Sequence, residues 1–150
     1  MKQSDVEQPQ QATKKSNIET PLISIVDDDP SVRVSTLRLL RWSGFRAEAF
    51  DCAEAFLSSE YLAQTNCLVL DVRMPGMDGL ELQKRLMDTG RRIPIVFLSA
   101  RASEEEKQRA LRVGAAGFLR KPVSKEILLR TIHSVLGPPA PTDNNPPKEL

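Results

Sequence analysis

Four stretches of this sequence place acidic, hydroxyl or basic side chains directly after apolar runs. Asp27, Asp28 and Asp29 follow LISIV, Asp71 follows CLVL, Ser99 follows IPIVFL, and Lys121 with Pro122 follows AGFLR. Carboxylates that converge repel one another by roughly 4 kcal/mol per pair at about 4 Å and an effective dielectric near 20, so such a set needs a counter-charge. Oxygen ligands with no His or Cys beside them suit a hard cation, and Mg²⁺ takes one or two carboxylates while keeping several waters. Asp28 and Asp71 are the first-choice ligands, with Asp27 holding a metal-bound water or shaping the pocket. Lys121 is either a surface lysine at a strand end or an ammonium that pairs with the most negative oxygen present, including one on an incoming phosphoryl group. Pro122 makes a cis peptide accessible after Lys121. Ser99 is either a bystander hydroxyl or a donor to a phosphoryl oxygen. It cannot be a hydrolase nucleophile, because the sole histidine, His133, lies in the last helical stretch and no Gly-x-Ser-x-Gly turn surrounds the serine.

These residues need a scaffold that brings the ends of four apolar runs together. Short apolar or β-branched runs alternate with stretches of helical period, which predicts five β-α units. Strands are expected at 22 to 26, 45 to 50, 67 to 71, 93 to 99 and 116 to 121. In the first helix Asp29 is the cap, Pro30 takes the first position, Val32, Thr36, Leu39 and Leu40 share a face, and Gly44 ends it. A second helix is expected over 53 to 62, capped by Asp51 or Cys52. Asp78 caps a third helix on which Leu82 and Leu86 stand one turn apart. Ser103 and Glu106 form a capping box opening a fourth helix, which has a thin apolar stripe and stops at Gly114. Ser124 caps the last, with Leu129, Ile132 and Leu136 on one face. Apolar strands joined by helical crossovers make a parallel, doubly wound five-stranded sheet with helices on both faces. In such folds ligands bind beyond the carboxyl ends of the strands, where the polar residues stand.

The rest of the composition narrows the function. With 150 residues and 40% hydrophobic content the chain suits one domain, at about 21 to 136. Residues 1 to 20 read as a flexible leader, and the proline-rich stretch 137 to 150 as a tail or linker. Lys plus Arg number 21 against 20 Asp plus Glu, so no overall field draws the chain to nucleic acid or a membrane surface. No secretory h-region is present and no apolar run approaches the roughly 20 residues of a membrane span, which makes the cytoplasm the expected compartment. Cys52 and Cys67 have no CxxC spacing and suggest neither a disulfide framework nor a zinc site.

VDDD at 26 to 29, LDVRMPGMDG at 70 to 79, LSA at 98 to 100 and KP at 121 to 122 together resemble the response-regulator receiver domain of two-component signalling. The likeness covers about residues 22 to 136, and DVRMPGMDG most resembles regulators that often carry a helix-turn-helix output domain. It implies a flavodoxin-like α/β sheet of strand order 2-1-3-4-5. It also implies Asp71 as phosphoacceptor, Asp27 and Asp28 as the acidic pair, a Mg²⁺ ligand in the backbone carbonyl of Arg73, and phosphoryl contacts from Ser99 and Lys121. A sensor histidine kinase or a phosphotransfer protein would supply the phosphoryl group. Phosphorylation would draw Ser99 inward and let Phe118 turn, changing the surface formed by the 104 to 113 helix, the last strand and the last helix, where a partner or a second copy binds. Phe118 stands where the family often has tyrosine, so ring packing remains while a hydroxyl contact is lost. Arg73 and Arg101 flank the site, either as solvated surface charges or as side chains that stand over the aspartyl phosphate and hinder its hydrolysis.

Beyond this phosphoacceptor chemistry the chain is not expected to be an enzyme, nor to bind nucleic acid directly. A haloacid-dehalogenase-like phosphatase would need a second acid where Arg73 stands. A nucleotide site would want glycines where three aspartates follow the first strand. The alternative that stays open is a receiver-like interaction module that is never phosphorylated.

Overall fold

The computed structural model describes residues 20 to 137. The expected leader and tail fall outside them, apart from Thr20 and Gly137. The chain runs β1 (Leu22–Val26), α1 (Pro30–Trp42), β2 (Arg46–Phe50), α2 (Ala53–Leu57), a 3-10 turn (Leu62–Gln64), β3 (Cys67–Leu70), α3 (Gly79–Asp88), β4 (Ile95–Ser99), α4 (Glu104–Val113), β5 (Gly117–Arg120) and α5 (Lys125–Leu136). All neighbouring strands are parallel and their order is β2-β1-β3-β4-β5, as the family resemblance implied.

Side chains alternate across each strand, so the uniformly apolar runs feed two cores. Leu68 and Leu70 of β3 and Ile95 and Phe97 of β4 face a core closed by Phe56 of α2, Leu82 and Leu86 of α3 and Ala110 of α4. Their neighbours Cys67, Val69, Val96 and Leu98 face the opposite core, closed by Leu40 of α1 and by Leu128 and Ile132 of α5. The one hydroxyl inside β1 is satisfied there: Ser24 Oγ lies 2.7 Å from Thr65 Oγ1, which donates to the Tyr61 carbonyl at 2.7 Å.

The helix starts follow from short polar residues in extended conformation. Asp29 accepts from Ser31 and Val32, and Asp78 and Ser103 each close a capping box, with Glu81 and Glu106. Ser124 accepts from the Ile127 amide at the start of α5. Gly114 ends α4 in the left-handed region, at φ 115°.

One expectation needs correction and another needs an addition. The helix expected over 53 to 62 stops at Leu57, because Ser58 and Ser59 turn their hydroxyls onto the Glu54 and Phe56 carbonyls and the chain resumes only as a 3-10 turn. On α5 the fully buried pair is Leu128 and Ile132, with Leu129 and Leu136 flanking it half-buried. Leu128 was missed because two adjacent leucines leave the period ambiguous, and only the sheet decides which one points inward.

Candidate functional site

The ladder hydrogen bonds extend one residue beyond the assigned strands and deliver the polar residues to one place. The Asp27 amide donates to the Phe50 carbonyl at 3.1 Å, the Asp71 amide to Val26 at 3.0 Å, and the Lys121 amide to Ser99 at 3.0 Å. The site therefore lies at the carboxyl edge of β1, β3, β4 and β5, beside the point where the strand order reverses.

Asp27 is tied down on every side. One carboxylate oxygen accepts from the Asp29 amide at 3.0 Å and the other from Lys121 Nζ at 2.9 Å, while its carbonyl accepts from Arg33 Nη1 at 2.8 Å. Lys121 Nζ also reaches Asp71 Oδ2 at 3.3 Å, and the Asp71 Oδ1 atom accepts weakly from the Arg73 amide at 3.4 Å. Asp28 is exposed at the rim, and carboxylate oxygens of Asp27, Asp28 and Asp71 come within 4.8 Å of one another. Three carboxylates against one ammonium leave a formal charge of −2, which a divalent cation would balance.

The electrostatics reflect that imbalance. Burial, and then the charge of Asp27, raise the pKa of the Asp71 carboxyl above its ordinary value, and the opposing pull of Lys121 does not cancel them. Burial works to lower the Lys121 pKa, yet its hydrogen bond to Asp27 and the charge of Asp71 win, and the ammonium is held more firmly than usual. Asp29 caps α1, so the three successive aspartates divide into two site carboxylates and one helix cap.

Ser99 is completely buried at the end of β4, and its hydroxyl has no hydrogen-bond partner among the described residues. A buried orphan hydroxyl costs free energy, and a ligand oxygen arriving beside Asp71 would satisfy it. With the carboxylate cluster, this is the donor and acceptor set that a hard cation and a phosphoryl group require. Asp28, Asp29, Asp71, Arg73, Ala100, Arg101 and Lys121 line a cavity of about 270 Å³ above it.

The Lys121–Pro122 peptide is cis. Phe118 is half-buried against the first core, its ring 5.6 Å from that of Phe97, with the Arg120 guanidinium 5.6 Å from its centroid. Arg73 and Arg101 both line the cavity above Asp71, and Arg73 has a partner on its far side. Its Nη2 pairs with Glu106 Oε1 at 2.8 Å, and its side chain is half exposed.

Sequence reasoning missed Arg33, which holds the Asp27 carbonyl, and Gly79, where a Cβ would overlap the carbonyl oxygen of Asp71. It read Glu106 only as a cap. The GMDG turn signalled a glycine, but nothing in it shows that α3 packs its first residue onto the backbone of Asp71.

The model of the response regulator receiver domain matches residues 23–133. The chain is 39% identical over 120 residues to the response regulator protein TmoT of Ectopseudomonas mendocina, covering 80% of this chain and 54% of TmoT. It is 38% identical over 126 residues to the transcriptional regulatory protein TdiR of Thauera aromatica, covering 84% and 55%. It thus spans about half the length of the curated relatives it matches. Among solved structures it superposes on the response regulator StyR with a TM-score of 0.72 at 46% identity, covering 78% of this chain and 59% of that one. The chemotaxis protein CheY4 of Vibrio cholerae gives 0.70 at 32% identity, covering 77% and 98%.

Proposed function

Starting from the fact that the chain belongs to the response-regulator receiver family, we propose that it takes a phosphoryl group from a sensor histidine kinase or phosphotransfer protein onto Asp71. The observation that carries this reading is the joining of Asp71, Asp27, Asp28 and Lys121 in one acidic, partly buried cluster, under a cavity open to solvent. Asp27, Asp28, Asp71 and the Arg73 carbonyl are the groups that would hold Mg²⁺. When bound, the ion supplies charge neutralisation for both the carboxylate and the group transferred to it.

In the transfer, an Asp71 carboxylate oxygen forms a bond to phosphorus as the phosphorus–nitrogen bond of the phosphohistidine breaks. The electron pair leaves with the imidazole nitrogen, and because the phosphorylated ring carries a proton on its other nitrogen it departs as neutral imidazole. Lys121 releases an Asp71 oxygen and pairs with a phosphoryl oxygen, and Ser99 donates its unused proton to another. Drawing Ser99 toward the site vacates space beside Phe118, whose ring turns inward and reshapes the α4–β5–α5 face. That face exposes Leu111 at 39% and Ile127 at 44%, and it is where a partner or a second copy would bind. The chemistry amounts to self-phosphorylation and dephosphorylation, with no external substrate turned over.

Incubation with Mg²⁺ and phosphoramidate, followed by intact-mass measurement, tests the reading. The parent gains the mass of one phosphoryl group, Asp71→Asn gains none, and Ser99→Ala still gains it, more slowly. No gain in the parent overturns the proposal and leaves a receiver-like interaction module.

A further inference from the structure

The Arg73–Glu106 pair joins the acceptor loop to α4 through an oxygen that already has a structural role. Glu106 Oε1 accepts from Arg73 Nη2 at 2.8 Å and from the Ser103 amide at 2.9 Å, while the Glu106 amide donates to Ser103 Oγ at 3.0 Å. One carboxylate thus closes the capping box of α4 and anchors a guanidinium that sits two residues beyond the phosphoacceptor. From the other flank, Arg120 donates to the Ala102 carbonyl at 2.7 Å and lies 3.5 Å from Glu104. The only fully buried residue of α4 is Ala110, in its second half. The start of α4 is therefore held by polar ties from two arginines more than by packing, which marks it as an element of low local stability.

We infer that Arg73 is an exchangeable tether: it holds the start of α4 through Glu106 until Asp71 is phosphorylated, then passes to the phosphoryl oxygens and lets α4 go. The inference rests on the phosphoacceptor reading of Asp71. Arg73 lines the same cavity as Asp71 and Lys121, and its own amide faces the Asp71 carboxylate. Its present partner is a single carboxylate in an ion pair half open to water, which is a weak hold. A phosphoryl group offers more charge and three acceptor oxygens that match the guanidinium fork. Arg73 is a positioning residue here, and Glu106 sets where it waits.

Glu106→Gln separates the two roles of Glu106, because glutamine at the third helical position can still close the capping box but cannot balance a guanidinium. With phosphoramidate below saturation, Glu106→Gln is expected to gain the phosphoryl mass about three- to fivefold faster than the parent, the factor that an exposed ion pair can withhold. In an Arg73→Ala background the same substitution leaves the rate unchanged. In the parent, phosphorylation speeds hydrogen exchange at the Lys107 and Gln108 amides. In Glu106→Gln these amides already exchange fast before phosphorylation. An unchanged rate in Glu106→Gln overturns the tether, and so does a change that persists in Arg73→Ala. If the parent itself gains no phosphoryl mass, the phosphoacceptor reading fails and takes this inference with it.

Discussion

Burial and the neighbouring Asp27 raise the Asp71 pKa above 3.8, so ionising this side chain costs the folded protein something that the unfolded chain does not pay. The sign follows from linkage. A carboxyl whose folded pKa lies above its unfolded value binds its proton more tightly when folded, so stability falls as the pH rises from the unfolded value through the folded one. In EDTA, Asp71→Asn is therefore expected to melt above the parent at pH 7.5. The difference shrinks as the pH is lowered toward 4, and a gap that widens instead contradicts this account. Mg²⁺ acts on the same charge imbalance. If Mg²⁺ binds the cluster as proposed, at about ten times its dissociation constant it is expected to stabilise the parent by about 1.4 kcal/mol, and Asp27→Asn or Asp28→Asn to weaken that gain in thermal melts with and without the ion.

At the scale of elements, β3 and α3 are joined by a turn whose far end returns to Asp71. The Gly79 amide donates to the Val72 carbonyl at 2.8 Å, and a Cβ at Gly79 would overlap the Asp71 carbonyl. Gly79 is needed for this close approach, since its φ is not among the positive ones. Gly79→Ala is expected to destabilise the fold by about 1–3 kcal/mol, as overpacking does. Because the displaced backbone carries Asp71, the same variant gains the phosphoryl mass at least about tenfold more slowly once the carboxylate is misplaced. An alanine variant with parental stability and parental rate would show that the turn yields at no cost.

Across the whole molecule, helices on both faces bury β1, β3 and β4 while several large apolar side chains stay outside. Leu40 on α1 is fully buried, whereas Trp42, two residues on, is 89% exposed. Leu40→Ala is expected to cost about 2–4 kcal/mol in urea melts and Trp42→Ala within about 0.5, despite the larger side chain lost. Among the described residues no helix is long and apolar enough to cross a membrane. If the α4–β5–α5 face answers phosphorylation, sedimentation of the phosphorylated parent will show a larger species that Ile127→Glu abolishes.

The alternation of apolar runs with helical periods, and polar residues immediately after those runs, were enough to read the parallel sheet and to name Asp27, Asp28, Asp71, Ser99 and Lys121. Both are local properties, set by the side-chain periods of strands and helices and by the rule that crossovers leave ligands at the carboxyl edge. The helix caps at Asp29, Asp78, Ser103 and Ser124 were legible for the same reason, because a cap is satisfied within one turn of chain. Tertiary structure alone decided that Arg73 pairs with Glu106, that Arg33 secures the Asp27 carbonyl, and that Gly79 makes room for Asp71. It also chose Leu128 over Leu129 for full burial beside Ile132 on α5. An arginine's partner or a glycine's neighbour is fixed only when distant segments meet, and no spacing along the chain encodes that meeting.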